Sequence, residues 1–209
     1  TNSDWAAGIN DGHGMVIITT TTVFANDWIS YFQSSPSITN YVLKSDIAGF
    51  SDPPYTSDIL IVAMLQMPSS TSSVSDQVLF EHGGAGMGTW MGIKSGNLYL
   101  QAGEGGNDNG DDNKRVIVQT PLASTFCDGQ FHEVAASIFP SSTNHSAKLF
   151  IDGVLVDEQQ STNAFTQNKW SGGDSGGFGK ASGSVAHGGS SNQWSFGSVG
   201  FLRIFKKAT

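Results

Sequence analysis

The chain of 209 residues has a single cysteine, Cys127. No intrachain disulfide can form, so packing and hydrogen bonding must hold the fold. Small secreted domains often rely on several disulfides. Their absence fits a bacterial or viral surface protein, a domain cut from a larger chain, or a cytosolic origin. Charge is scarce too. Charged residues are 13% of the chain, with 18 acidic against 10 basic and a formal net charge of −8. That balance argues against nucleic acid and anionic membrane surfaces, which want a basic partner. No apolar run is long enough to span a bilayer, which argues against membrane insertion. The sequence starts at Thr1 with no signal-peptide pattern and reads as a mature or excised segment. Proline is sparse, at six residues, and there is no internal repeat, heptad pattern or long amphipathic helix.

What the chain has instead is glycine, 26 residues, with many Ser and Thr between short β-branched runs. This is turn and strand chemistry. Strands are expected at Met15–Phe24, Tyr41–Lys44, Val78–Glu81, Thr89–Lys94, Asn97–Gln101, Arg115–Thr120, Phe131–Phe139 and Ser195–Lys206. Trp28–Phe32 and Phe178–Lys180 are shorter candidates. Asp58–Met67 is the most apolar stretch. Its Ile59, Ile61 and Val62, with Pro68 following, favour a central strand over a buried helix. The clearest local signal is a hairpin, Ala147–Glu158, folded about Asp152-Gly153, a residue pair that tolerates positive φ at both turn positions. Folding it there puts Leu149, Ile151, Val154 and Val156 on one face, expected to be core. Phe150 then pairs with Leu155 and Lys148 with Asp157. Such a chain is expected to form one domain over 1–209, an all-β, two-sheet antiparallel β-sandwich.

Three stretches carry a family likeness. "DGQFHEVAASI" with "AKLFIDGVLVDE" resembles the signature of laminin-G-like domains of the concanavalin-A-like lectin/glucanase superfamily. "QVLFEHGGAGMGTWMGIKSGNLYL" (77–100) resembles the strands upstream of that signature, and "FGSVGFLRIFK" (196–206) the closing strand. The likeness covers about the last two-thirds of the chain. It implies a concanavalin-A-like jelly roll. The motif consists of strand and turn residues, so it speaks to fold rather than to chemistry. In that family His132 belongs to the folding signature, and a structural histidine is expected there.

Two constellations could carry function. The loop "GEGGNDNGDDN" (103–113) offers hard oxygen ligands from Glu104, Asp108, Asp111 and Asp112, with glycines that let carbonyls turn inward. This is calcium chemistry, and many laminin-G-like domains bind one calcium at a loop edge. A solvated acidic turn would use the same residues. The second set is Trp90, Trp170, His187, Asn192, Gln193 and Trp194. Indole rings stack on the apolar faces of sugars, and planar amides bond their hydroxyls. Trp170 and Trp194 lie in or beside polar loops, whereas Trp90 begins a strand and is expected to pack.

No catalytic residue emerges. Laminarinase-type hydrolases set carboxylates at alternate positions of one strand, which places them on one face as two-carboxylate chemistry needs. Asp157 and Glu158 are adjacent and point to opposite faces. Alginate-lyase-type Arg and Tyr motifs, nucleophile elbows and zinc spacings are absent. Cys127 reads as a small buried residue rather than a nucleophile. The reading is a non-catalytic module of a surface, secreted or viral fibre protein, at an extracellular or cell or virion surface. It binds glycan or polysaccharide, with calcium assisting. A structural or protein-binding module with a protein receptor, and a polysaccharide lyase or glycoside hydrolase with an unrecognised site, stay open.

Overall fold

The computed structural model describes residues 28–33, 58–69, 74–84, 87–104, 115–123, 125–139, 145–161, 177–181, 185 and 189–207. The expected strands at Met15–Phe24 and Tyr41–Lys44 lie outside them. Among the described residues, eleven strands form two antiparallel sheets. One has the order β1-β11-β2-β7-β8-β9, made of Trp28–Gln33, Ser198–Lys207, Ile59–Gln66, Phe131–Phe139, Ser146–Ile151 and Val154–Gln160. The other has the order β10-β3-β4-β5-β6, made of Gly177–Phe178, Gln77–Gly84, Met87–Lys94, Asn97–Glu104 and Arg115–Pro121.

Side chains of a strand alternate between its faces, so each sheet turns one residue set inward. Ile59, Ile61, Ala63 and Leu65 of β2 meet Val134, Ala136 and Ile138 of β7, Ala147 and Leu149 of β8, and Leu202 and Ile204 of β11. From the facing sheet come Leu79, Met91, Ile93, Leu98, Leu100, Ala102, Val116 and Val118. These residues make one continuous core between the layers, which is what a sandwich requires. Cys127 joins it at 1% exposure. Burial raises its thiol pKa and the Asp128 charge adds to this, so the thiol stays protonated and inert.

The β8–β9 hairpin departs from the sequence reading. Asp152 (φ +50°) and Gly153 (φ +76°) make the expected turn, and Phe150 pairs with Leu155. Beyond that pair a bulge shifts the register. Leu149 pairs with Asp157 and Lys148 with Glu158, so Val156 is the extra residue. Lys148 Nζ accordingly forms its ion pair with Glu158, at 3.1 Å, rather than with Asp157. Val154 and Val156, expected in the core, are 64% and 38% exposed. The physical reason is that β9 is an edge strand. The bulge aims Asp157 across the open side of the sandwich at β6, where its Oδ2 accepts a hydrogen bond from the Gln119 backbone N–H at 2.8 Å. Asp157→Ala is expected to lower the unfolding free energy by about 1–2 kcal/mol, because it opens the one tie between the two sheet edges that this side chain makes. Urea denaturation checks this.

Candidate functional site

The five-stranded sheet has two unlike faces. In Asn97-Leu98-Tyr99-Leu100-Gln101-Ala102 the leucines and Ala102 turn inward, leaving Asn97, Tyr99 and Gln101 outside. Ladder register extends that outer face across the strands. Glu81, Trp90, Gln101 and Ile117 lie in one row. Tyr99 lies in the next, between Gly92 and Gln119. On the far side of the Glu81 row is a row of Gly83, Gly88 and Gly103 ending at Arg115. The three glycines have φ of +137°, +151° and +148°, a region that side chains rarely enter. That row is a floor of bare backbone, bounded by Arg115 at one end and by Glu81, Trp90 and Gln101 along its length.

Glu81, Trp90 and Gln101 are all 0% exposed. A carboxylate and an amide so buried are costly unless polar groups meet them. Trp90 and Val78 form a second, smaller apolar cluster on this outer face, packed against Tyr99, Ala181 and Val185. The segment 189–193 is clamped to the edge of β3. Ser190 Oγ and Asn192 Nδ2 both donate to the Asp76 carbonyl, at 2.9 and 3.0 Å. The Val78 N–H donates to the Asn192 carbonyl at 3.0 Å, and Gln193 forms a parallel bridge with Val78. Trp90 Nε1 donates to the Ser190 carbonyl at 3.1 Å.

Gly189 lies on the indole itself. A Cβ there would stand 2.5 Å from Trp90 Cδ1 and Nε1. Gly189→Ala is therefore expected to lift this segment, with a loss of about 1–3 kcal/mol of stability. The expected signature is a red shift of tryptophan fluorescence together with a lower midpoint.

The accessible part of the face is Tyr99. Its ring meets Trp90 edge-on, with centroids 6.1 Å apart and planes at 66°. The Lys94 ammonium stands 5.3 Å from the Tyr99 centroid. Burial raises the Tyr99 phenol pKa, and the Arg115 charge opposes this in part. Gln119 is exposed directly opposite Tyr99. The patch therefore offers an aromatic ring, a phenol, the Lys94 cation and planar polar groups, with apolar packing beneath.

The residues expected from the sequence fare differently. Trp90 belongs to this face but is its packed floor. Asn192 and Gln193 are exposed beside it, and the Asn192 amide is used on Asp76. Trp194 requires correction. It is a core residue at 1% exposure, with Nε1 donating to the Gly197 carbonyl at 3.2 Å. Gln193 pairs outward with Val78, so its neighbour turns into the sandwich, and a ring without a free face cannot stack on a sugar. Trp170, His187, Asp108, Asp111 and Asp112 lie outside the described residues. Glu104 ends β5. Among the described residues no cluster of three His, Cys, Asp or Glu could hold a metal. Glu81, Tyr99, Gln101 and Arg115 were not singled out from the sequence. The period-2 alternation of polar and apolar residues in β5 was the signal that could have found Tyr99 and Gln101.

No family model and no curated protein matches the chain. Among solved structures it is similar to an endo-1,3-beta-glucanase from Streptomyces sioyaensis. The identity is 11%, the match covers 91% of this chain and 100% of that one, and the TM-score is 0.50. It is also similar to the receptor binding domain of a botulinum neurotoxin C/D mosaic serotype, at 16% identity, 73% and 32% coverage and a TM-score of 0.45. The chain spans about a third of the length of the toxin structures it matches. At such identities the glucanase likeness is one of fold, the concanavalin-A-like sandwich of two antiparallel sheets.

Proposed function

We propose that the chain is a non-catalytic, laminin-G-like glycan-binding module that takes saccharide on the outer face of its five-stranded sheet. One observation carries this reading. Tyr99 stands half-buried on Trp90, with the Lys94 ammonium at its ring, Gln119 opposite it in register and Asn97 two residues away on the same strand face. An aromatic face with planar amide and charged neighbours is what stacking on a sugar and bonding its hydroxyls requires. Glu81 is the one carboxylate that the described strand residues place on this outer face. Cleavage of a glycosidic bond by two carboxylates needs a second at roughly 5–10 Å, so the proposal stops at binding.

Calcium at Glu104, Asp108, Asp111 and Asp112 is part of the same proposal. Their oxygen donors suit it. The pairing of Gly103 with Arg115 brings the two ends of that loop together at the glycine end of the candidate face. An extracellular or virion-surface setting goes with this reading. A protein receptor is the second reading, favoured by the exposed run Val154, Leu155 and Val156 on edge strand β9.

The test is a glycan array probed with the intact protein, followed by Tyr99→Ala. Binding is expected to weaken by roughly tenfold or more, with the melting midpoint within a few degrees of the parent. An array without hits, or a variant that binds as the parent does, would contradict the proposal.

A further inference from the structure

His132 lies between two turns that are distant in sequence. Its Nδ1 is 2.6 Å from Asp152 Oδ2, in the tip of the β8–β9 hairpin. Its Nε2 is 3.0 Å from Asp128 Oδ1, in the turn that leads into β7. Both acceptors are further fixed by backbone. Asp152 Oδ1 accepts from the Glu133 N–H at 3.0 Å, and Asp128 Oδ1 from the Gln130 N–H at 2.7 Å. The lead-in turn is itself seated on β2, since the Gly129 N–H donates to the Met67 carbonyl and Gln66 Nε2 donates to the Gly129 carbonyl.

A neutral imidazole carries one N–H and one lone pair. Here both ring nitrogens face carboxylates, so both bonds exist together only in the imidazolium. Once the proton leaves, one nitrogen turns a lone pair toward a carboxylate, and that contact becomes repulsive. The Asp152 bond is the shorter, and the Asp152 N–H also donates to the Glu133 carbonyl at 2.9 Å. The Asp128 contact is the one that gives way.

The other groups facing the ring do not replace the proton. They are the Phe126 ring edge-on at 6.3 Å and Leu65 opposite on β2, neither of which titrates. Burial by itself would lower the His132 pKa. The bonds and charges of Asp152 and Asp128 more than offset this and raise it.

We propose that protonated His132 is a latch between the two turns, and that loss of its proton releases the Asp128 carboxylate and loosens its hold on the Gln130 N–H, while the hairpin tip and the two Gly129 bonds to β2 stay in place.

Amide hydrogen exchange at about pH 6 and about pH 9, corrected for intrinsic rates, tests this on the intact chain. Protection of the Gln130 amide is expected to fall roughly tenfold at the higher pH relative to Asp152, with β2 amides unchanged. Asp128→Asn, which leaves His132 one anionic partner, is expected to remove that pH dependence. Equal protection of Gln130 and Asp152 at both pH values would overturn the proposal, as would a loss shared by β2, or an Asp128→Asn variant with the parent's pH dependence.

Discussion

Replacing Trp90 by alanine is expected to lower the unfolding free energy by roughly 3–5 kcal/mol and to abolish ligand binding at the outer face. The indole is 0% exposed and fills the second apolar cluster. Its removal leaves a cavity that Val78 cannot fill, because β3 and β4 are locked in register around it. The Ser190 carbonyl loses its donor, and Gly189 loses the surface it lies on. Tyr99 loses its edge contact and its fixed pose. Urea denaturation and glycan binding read the two consequences separately. They also separate Trp90 from Tyr99, whose replacement is expected to affect binding with little cost in stability. A Trp90→Ala protein that melts like the parent would mean that the second cluster does not hold the 189–195 segment in place.

The second large effect is on pH. His82 and His145 are 4% and 0% exposed, and burial holds each pKa at about 4. The unfolded chain takes up those protons near 6.5, so between the two values it binds more protons than the folded chain. Stability contributed by these groups is therefore fully present above about 6.5, is lost as pH falls toward 4, and changes no further below that. The expected loss is on the order of a few kcal/mol for each histidine. His132 has the opposite sign. Its pKa is raised, so its contribution is complete below the ordinary histidine value and is lost as pH rises through the folded value. Asp128 is held low by the Gln130 N–H first and His132 second. Its contribution is present above the ordinary carboxylate value and is lost as acid protonates it. The stability profile is thus expected to peak near neutrality and to fall steeply on the acid side. Thermal melts of the parent, His145→Gln and His132→Gln across pH 4–9 would resolve the His145 and His132 contributions, and a flat acid limb would contradict the assignment of His82 and His145 as buried neutral groups.

The sequence carried the sandwich clearly, because alternation is a local signal. Asn97–Glu104 and Phe131–Phe139 each show one apolar face and each is a strand, while Ile59–Gln66, apolar on both faces, showed itself by its β-branched residues. Asp152-Gly153 marked its turn for the same reason. The bulge after Leu149 was not legible. It answers to β6, a strand from the other sheet, where Asp157 meets the Gln119 N–H. Trp194 was misread because the polar residues around it, Asn192, Gln193 and Ser195, look like a loop surface. Their bonds instead clamp the segment to β3 and press the indole inward. Tyr99 was passed over inside a strand that looked fully explained by its leucines. A face built from every second residue of several strands exists only once register is known.

The measurement that bears most directly on the proposed glycan-binding face is a chemical-shift titration of the labelled protein with an oligosaccharide selected from the array. The account predicts that the perturbed amides and side chains cluster at Lys94, Asn97, Tyr99 and Gln119 on the outer face of the five-stranded sheet, with the six-stranded sheet unmoved. Perturbations gathered at β9, or anywhere else away from Tyr99, would contradict it.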